Sequence, residues 1–335
     1  MRTKAPRFWQ SRSPAAVFLL PLTAVFALVA ALRRALFSFG LLARVRLPVP
    51  VVVVGNIAVG GSGKTPVVQW LVVRLREAGF APGIVSRGYG GTIEGVQRVA
   101  PDSAPAEVGD EPLLLARTCG CPVAVGADRP AAAALLVADG CDVIISDDGL
   151  QHYRLHRDVE IVVVDAETLG NRWLLPSGPL REPVSRLASA DLVIAHGPLG
   201  PRLSDSCGTI PIKRMRLVGE ELQPLGGMGR VLSLHEMAGR RVHAFAGIGR
   251  PVRFFAQLEA AGLEVVRHVF PDHHRFTRED FEVADAEPKI LTAKDAVKCE
   301  PFGLADAWVL PVAAEIEAGA VERILEKLKH GREAA

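Results

Sequence analysis

Acidic side chains are absent from the first 46 residues, although the whole 335-residue chain has a formal net charge of only +2. These residues, the N-terminal head, contain eight lysines and arginines. The body of the chain, residues 47–335, therefore carries six excess negative charges. An acidic body argues against nucleic acid as a partner, and a basic head favours an anionic lipid surface. The sequence gives no indication of a protein partner.

Cysteine is scarce, with five residues, and no two of them form a Cys-x-x-Cys pair. Their odd number and spacing argue against a disulfide framework or a zinc site, and they favour a reducing cytoplasm. Internal repeats and low-complexity tracts are also lacking. Because 49% of the residues are apolar, the chain is long and apolar enough to form a sizeable globular core.

Charge is also absent from residues 14–32, an apolar run of 19 residues. This length is near the lower limit for crossing a bilayer. A spanning helix, a helix lying in the cytoplasmic leaflet, a cleaved signal peptide and a buried core helix are the alternatives. We expect a membrane-attached helix with the body in the cytoplasm, and basic residues at both ends leave its orientation open. Pro21 should kink or break the helix.

Short apolar runs that alternate with helical patterns begin after Pro50. The runs are residues 51–54, 83–86, 122–126, 142–146, 160–165 and 191–195, and helical patterns include residues 65–78 and 129–139. Continuous valine and isoleucine runs of this kind predict an α/β fold with a parallel sheet covered by helices on both faces. Functional groups are then expected at the carboxyl ends of the strands.

A change of composition divides the chain further. Residues 201–235 are rich in glycine, proline and serine at their start and predict a linker. A second set of apolar runs follows at residues 241–247, 264–270, 289–292 and 307–312, with a helix at residues 251–261. The predicted units are therefore an N-terminal helix (1–46), a catalytic domain (47–200), the linker (201–235) and a smaller C-terminal α/β domain (236–335).

The stretch VVVVGNIAVGGSGKTP, residues 51–66, has the strand–loop–helix context of a phosphate-binding loop, although it has Ala58 where the usual pattern has glycine. The loop residues Gly60, Gly61, Ser62 and Gly63 can turn backbone N–H groups around an anion at a helix N-terminus. Lys64 should then reach the β- and γ-phosphates of ATP, and the Thr65 hydroxyl should hold Mg²⁺. The large domain is therefore predicted to be of the P-loop NTPase type.

Two adjacent carboxylates, Asp147 and Asp148, end one of the apolar strands. Carboxylates at such a position usually support Mg²⁺, directly or through water. Asp165, at the end of the next run, is a rival. Gln151 and His152 follow on the loop, where nucleotide contact and ordinary loop hydrogen bonding are about equally expected.

Several polar residues lie near other strand ends. By chemistry alone Asp110 is better explained as a helix cap than as a general base. Arg87, Arg129 and Arg181 each lie on a glycine- or proline-containing loop, and arginine suits bidentate phosphate recognition. In Asp272-His273-His274 no third metal ligand has suitable spacing, so a histidine acting across a domain cleft is the sharper interpretation.

Together these motifs resemble the bacterial tetraacyldisaccharide 4′-kinase family of lipid A biosynthesis. The matching strings are VGNIAVGGSGKTP, SRGYGG, VGDEP, GADR, DDGLQH, LPSGPLREP, HAFAGIGRP, FPDHH and TAKDAVK, in order over residues 54–298. The resemblance implies transfer of the γ-phosphoryl group of ATP to the 4′-hydroxyl of a lipid disaccharide 1-phosphate, giving lipid IVA. It also implies two α/β domains with a cleft between them.

The resemblance also implies roles for single residues. Asp110 becomes a catalytic base paired with a second-domain histidine, here His273. Asp147, Asp148, Gln151 and His152 fall on the nucleotide and Mg²⁺ segment, Arg129 and Arg181 fall on positions associated with activity, and Tyr89 and Glu111 are weaker assignments. Ala293 departs from the family pattern, which argues against a carboxylate role at that position.

Two other functions remain as alternatives. A membrane-associated partitioning-type ATPase uses a similar loop, but it carries lysine where this chain has Val59. A non-catalytic nucleotide-binding subunit of an envelope complex is the other alternative.

Overall fold

The computed structural model describes residues 6–227, 229–284 and 287–333. The apolar head forms two helices, α1 (Pro14–Phe18) and α2 (Leu20–Ser38). The helix breaks at Leu19, and Pro21 lies in the first turn of α2, where its missing N–H costs no helical hydrogen bond. Within α2 only Thr23 and Phe37 are buried, so this is not a core helix. By length and composition it could cross a membrane.

Helices and strands alternate through the body of the chain. The strands are β1 (Val51–Gly55), β2 (Pro82–Ser86), β3 (Val96–Arg98), β4 (Val123–Gly126), β5 (Val143–Asp147), β6 (Val159–Val164), β7 (Leu192–His196), β8 (Ile212–Val218), β9 (Glu221–Pro224), β10 (Leu232–Ser233), β11 (Arg241–Ala246), β12 (Glu264–Val269), β13 (Lys289–Thr292), β14 (Ala307–Leu310) and β15 (Ala313–Ile316). The remaining helices are α3 (Lys64–Glu77), α4 (Pro105–Val108), α5 (Asp110–Cys119), α6 (Arg129–Ala138), α7 (Pro201–Asp205), α8 (Pro251–Ala260), α9 (Ala293–Cys299) and α10 (Ala320–Glu333).

Nine strands form the large sheet, in the order β15-β8-β7-β6-β1-β5-β2-β4-β3. The seven central strands are parallel, and only the edge strands β15 and β3 are antiparallel to their neighbours. Side chains alternate between faces, so Val52 and Val54 join one buried cluster and Val51 and Val53 join another. Helices cover both faces, which confirms the predicted fold class.

A second sheet of six strands has the order β10-β9-β14-β13-β11-β12. Strands β11 to β14 pair in parallel, whereas β9 is antiparallel to β14 and to β10. Helix α8 packs on β11 and β12, and Phe254, Phe255 and Leu258 of that helix are buried in the core of this domain.

The chain crosses between the two sheets more often than the sequence indicates. Residues 201–235, expected to form a linker, supply β8 to the large sheet and β9 and β10 to the small one. Near the C-terminus, β15 pairs with β8, and α10 contacts β6 and β7. The β8 sequence IKRMRLV is only partly buried, so it lacks the continuous apolar run of the central strands. The boundaries of the two domains stay a prediction.

Candidate active site

The phosphate-binding loop connects β1 to α3 at the carboxyl edge of the large sheet. Gly60 and Gly63 adopt positive φ of 113° and 90°, which a side chain would strain. The Asn56 amide fixes the loop, because its Nδ2 donates to the Gly60 carbonyl and to Ser62 Oγ, both at 3.2 Å. Ala58 is buried in an apolar cluster, so alanine at this position is part of the packing under the loop.

The two adjacent carboxylates lie beside this loop. Asp148 Oδ1 is 3.5 Å from Lys64 Nζ, and Asp148 Oδ2 accepts from Arg181 Nη1 at 3.0 Å. Asp147 Oδ2 accepts a long hydrogen bond of 3.4 Å from Ser86 Oγ. In the part of the chain that the structure describes, Oδ1 of each aspartate is buried without a hydrogen-bond partner. Carboxylate oxygens without a hydrogen-bond donor fit the ligand preference of Mg²⁺.

The two aspartates differ in their electrostatics. Burial raises the pKa of Asp147, and the negative charges of Glu111 and Asp148 raise it further. Burial opposes ionisation of Asp148 as well, but the charges of Lys64 and Arg181 outweigh it and lower the pKa of Asp148. Nearby positive charges therefore stabilise ionised Asp148, whereas burial and two negative neighbours disfavour the ionisation of Asp147.

The loop after β5 is tied to the LPSGPLREP segment. Gln151 Nε2 donates to Glu182 Oε1 at 2.7 Å and to the Asn56 carbonyl at 3.1 Å, and its Oε1 accepts from Arg181 at 3.2 Å. His152 Nε2 is buried and has no hydrogen-bond partner among the described residues. Burial and the charges of Arg129 and Arg157 lower the pKa of His152 to about 4. His152 is therefore a neutral imidazole whose Nε2 makes no hydrogen bond to the described residues.

The three predicted phosphate arginines occupy different environments. Arg129 is buried, and its Nη1 donates to Ser146 Oγ at 3.1 Å. Arg181 forms the ion pair with Asp148, and Arg87 is exposed on the loop after β2. All three line one cavity with Lys64 and Asp148.

The aspartate and histidine that the sequence places 163 residues apart are in contact. Asp110 is the first residue of α5, and His273 follows β12 in the second domain with a positive φ of 58°. His273 Nδ1 lies 2.9 Å from both carboxylate oxygens of Asp110. His274 contacts Asp280 at 3.1 Å, so the structure brings His273 and not His274 to Asp110.

Two lysines of α9 surround this couple, and the sequence analysis did not single them out. Lys294 Nζ lies 2.8 Å from Glu111 and 3.2 Å from His273 Nε2, and Lys298 Nζ lies 3.7 Å from Asp110. Burial alone would raise the pKa of Asp110, but the His273 hydrogen bond and the charges of both lysines lower it overall. Burial would likewise lower the pKa of Lys294, but Glu111 and nearby aspartates raise it.

Tyr89 places its ring edge-on to that of His273, with centroids 5.2 Å apart. It stands at the rim of a cavity of about 2350 Å³ that also reaches Lys64, His273 and the α2 residues Phe26 and Val29. A drug-sized ligand needs roughly 300–1,000 Å³. The cavity therefore has room for a nucleotide and for a second, larger molecule beside α2.

Asp165, the rival metal ligand, is engaged elsewhere. Its Oδ1 accepts from the Glu167 N–H at 3.1 Å, and its Oδ2 lies 2.8 Å from both Arg250 and Arg253 of the second domain. Both oxygens of Asp165 therefore have donors, whereas Oδ1 of Asp147 and Oδ1 of Asp148 have no hydrogen-bond donor among the described residues.

Comparison with known proteins places this chain in a family. A family model described as tetraacyldisaccharide-1-P 4′-kinase matches residues 15–329. A relative named tetraacyldisaccharide 4′-kinase from Aromatoleum aromaticum is 64% identical over 100% of both chains, and one from Azoarcus sp. is 60% identical over 98% of this chain and 96% of its own. A crystal structure of LpxK from Aquifex aeolicus in complex with ATP is similar with a TM-score of 0.78 at 29% identity, covering 95% of this chain and 99% of that one. The chain therefore belongs to the tetraacyldisaccharide-1-P 4′-kinase family.

Proposed function

We propose that this protein transfers the γ-phosphoryl group of ATP to the 4′-hydroxyl of a tetraacylated glucosamine disaccharide 1-phosphate, giving lipid IVA. The observation that carries the proposal is the shared cavity, which holds Lys64 and Asp148 on one side and His273, in contact with Asp110, on the other. Membership of the kinase family and a solved relative that holds ATP support both the reaction and the phosphoryl donor.

On this proposal the phosphate loop binds ATP. Backbone N–H groups from Gly60 to Thr65 and the Lys64 ammonium hold the β- and γ-phosphates. Thr65, Asp147 and Asp148 would hold Mg²⁺, which when bound neutralises charge on the phosphates. Arg181 and Lys64 keep Asp148 ionised and oriented.

The Asp110–His273 couple receives the proton of the attacking 4′-hydroxyl. Asp110 stays ionised next to the lysines, and its two oxygens accept from His273 Nδ1, which fixes the ring. Phosphoryl transfer needs positioning and charge stabilisation more than covalent help, so an oriented base beside a cationic phosphate site meets the main requirement. Arg87 and Arg129 supply further positive charge along the cavity.

The test is transfer of radiolabelled phosphate from [γ-³²P]ATP to the disaccharide lipid in detergent. We expect a labelled lipid whose formation requires the protein, ATP and the lipid acceptor. Nucleotide-dependent dimers without labelled lipid would favour the partitioning-type ATPase instead. ATP binding without turnover on the lipid would favour a non-catalytic subunit.

Lys294→Met should move the acid limb of the pH profile of kcat/KM to higher pH. The couple works as a base only while it is deprotonated, so activity is lost as the pH falls through its pKa. The Lys294 charge lowers the pKa of Asp110, so removing that charge raises the pKa. An unchanged acid limb would contradict this role. Lys213→Met is the control that leaves the profile in place, because Lys213 is a half-buried lysine on β8 that donates to the Ala318 carbonyl.

We also propose that α2 attaches the enzyme to the inner membrane with the catalytic body on the cytoplasmic side. The side chains of Leu22, Val25 and Leu28 are 58%, 59% and 70% exposed, and Arg33 and Arg34 follow on the same helix. Apolar side chains with basic neighbours suit the headgroup boundary of an anionic bilayer. A membrane location brings the enzyme to its lipid acceptor.

Leu22→Glu combined with Leu28→Glu should reduce binding to vesicles of phosphatidylglycerol and phosphatidylethanolamine by at least about 100-fold. Burial of each leucine contributes roughly 1.5–3 kcal/mol, and two are lost. Flotation on a sucrose gradient measures the effect. Val73→Glu, at a 47% exposed position on α3, should leave binding unchanged. Equal loss in both variants would argue against a specific role of α2.

A further inference from the structure

The turn that follows β11, residues 247–250, joins two features to which the proposed chemistry gives no role, Asp165 and the Gly-Ile-Gly-Arg motif. We infer that Asp165 is a positioning residue, which seats the second domain on the phosphate loop through Arg250 and Arg253 and thereby places His273 against Asp110. This inference rests on the proposed kinase function and adds residues that act through the position of His273.

Asp165 is a buried anion with two cationic partners from the other domain. It is 1% exposed at the carboxyl end of β6, and its Oδ2 lies 2.8 Å from Nη1 of Arg250 and of Arg253. Arg253 Nη1 also lies 2.7 Å from the His196 ring at the end of β7, and Arg250 contacts Glu167 as well. Removing the partners of a buried charge strongly destabilises the folded protein. These ion pairs therefore hold the two domains together at this point.

Next to Arg250, the turn lies against the phosphate loop itself. A Cβ added to Gly249 would stand 2.9 Å from the backbone nitrogen of Gly61, closer than real Cβ contacts allow. Only glycine lets the two backbones approach this closely. The arginine contacts therefore set the second domain directly on the nucleotide site.

The same turn is hydrogen-bonded to the segment that carries the histidine. The His273 N–H donates to the Gly247 carbonyl at 3.1 Å, and the Gly247 N–H donates to buried Asp295 at 2.8 Å. His273 has a positive φ of 58°, a strained conformation that persists only where surrounding structure holds it. A continuous path of contacts thus runs from Asp165 through Arg250 and Gly247 to His273.

This arrangement predicts a loss of turnover that depends on the histidine. Arg250→Ala combined with Arg253→Ala should lower kcat about 10- to 100-fold, because a misplacement of about 1 Å can cost 10²-fold. The KM for ATP should change less than threefold. Arg250→Lys with Arg253 intact should keep kcat within about threefold of wild type. Arg267→Ala, which removes an exposed pair with Glu259 in the same domain, is the matched control and should leave kcat unchanged.

The deciding comparison is the same double substitution in a His273→Ala background. If the arginines act by placing His273, replacing them lowers kcat no further once the imidazole is absent. An equal fold-loss in both backgrounds, or a kcat within twofold of wild type for the double variant, overturns the inference. Failure of the proposed function is distinguishable, because wild-type protein would then form no labelled lipid at all.

Discussion

Replacing Asp110 with asparagine should lower kcat for lipid phosphorylation by about 10³-fold, since a positioned general base contributes roughly 10²–10⁴-fold. The amide has nearly the shape of the carboxylate but accepts no proton from a hydroxyl. It also removes the charge that faces Lys298, and its single neutral oxygen is a weaker acceptor for His273 Nδ1. The loss should appear in kcat, because Asp110 contacts His273 and not the phosphate loop, so ATP binding does not require it.

Single-turnover transfer of labelled phosphate measures this effect apart from product release. The fold should survive the substitution, because Lys294 keeps Glu111 and Asp272 as partners and Lys298 keeps Asp295. Asp139→Asn is the matched control, since Asp139 is an exposed aspartate that pairs with Arg98 at 2.6 Å. Near-normal transfer by Asp110→Asn would remove the carboxylate from the mechanism and leave His273 to be tested alone.

The parts of the site that follow one strand could be predicted from local sequence. The phosphate loop and Asp147-Asp148 each follow a buried valine- or isoleucine-rich strand, and β1 and β5 are paired neighbours in the sheet. Parallel neighbours bring their carboxyl ends to one edge, so the strand pattern already places Lys64 near Asp148. The roles of these residues in phosphate and metal binding stay predictions.

Contacts between the two domains cannot be predicted from local sequence patterns. Asp110 and His273 are 163 positions apart, and their meeting depends on how two separate sheets pack. By chemistry alone Asp110 is better explained as a helix cap, and only the family resemblance pairs it with His273. The sequence alone does not indicate a role for Lys294, because lysine is usually a solvent-exposed residue. Its burial among three acidic groups is visible only once both domains are in place.

Strand β8 and the interdomain contacts of Asp165 could not be predicted from local sequence either. The β8 sequence mixes polar and apolar residues, in keeping with its partial burial, and the loop-like residues before it conceal its start. Asp165 ends a strand as a metal ligand would, and its sequence context does not reveal that two arginines some 85 residues later occupy its carboxylate. Local sequence predicts which groups stand at the sheet edge, whereas tertiary packing decides which of them have partners.

Lys64→Ala should lower kcat/KM on the order of 10³-fold, the effect of removing one preorganised charge from a site where negative charge develops. The Lys64 side chain is largely buried at the start of α3 and lies 3.5 Å from Asp148, so its ammonium stands between the loop and the carboxylates. Loss of the lysine leaves Asp148 paired with Arg181, so the loop after β5 keeps its anchor and the protein should fold. Lys64→Arg should rescue little, because the planar guanidinium is larger and cannot act as a compact charge inside the loop.

Labelled-phosphate transfer at varied ATP measures the loss. Lys327→Ala is the control, because Lys327 is a half-exposed lysine paired with Asp191. If the alanine variant retained wild-type kcat/KM, the γ-phosphate would have to be held by the arginines that line the cavity, and the nucleotide site would need to be reassigned to Arg87, Arg129 and Arg181.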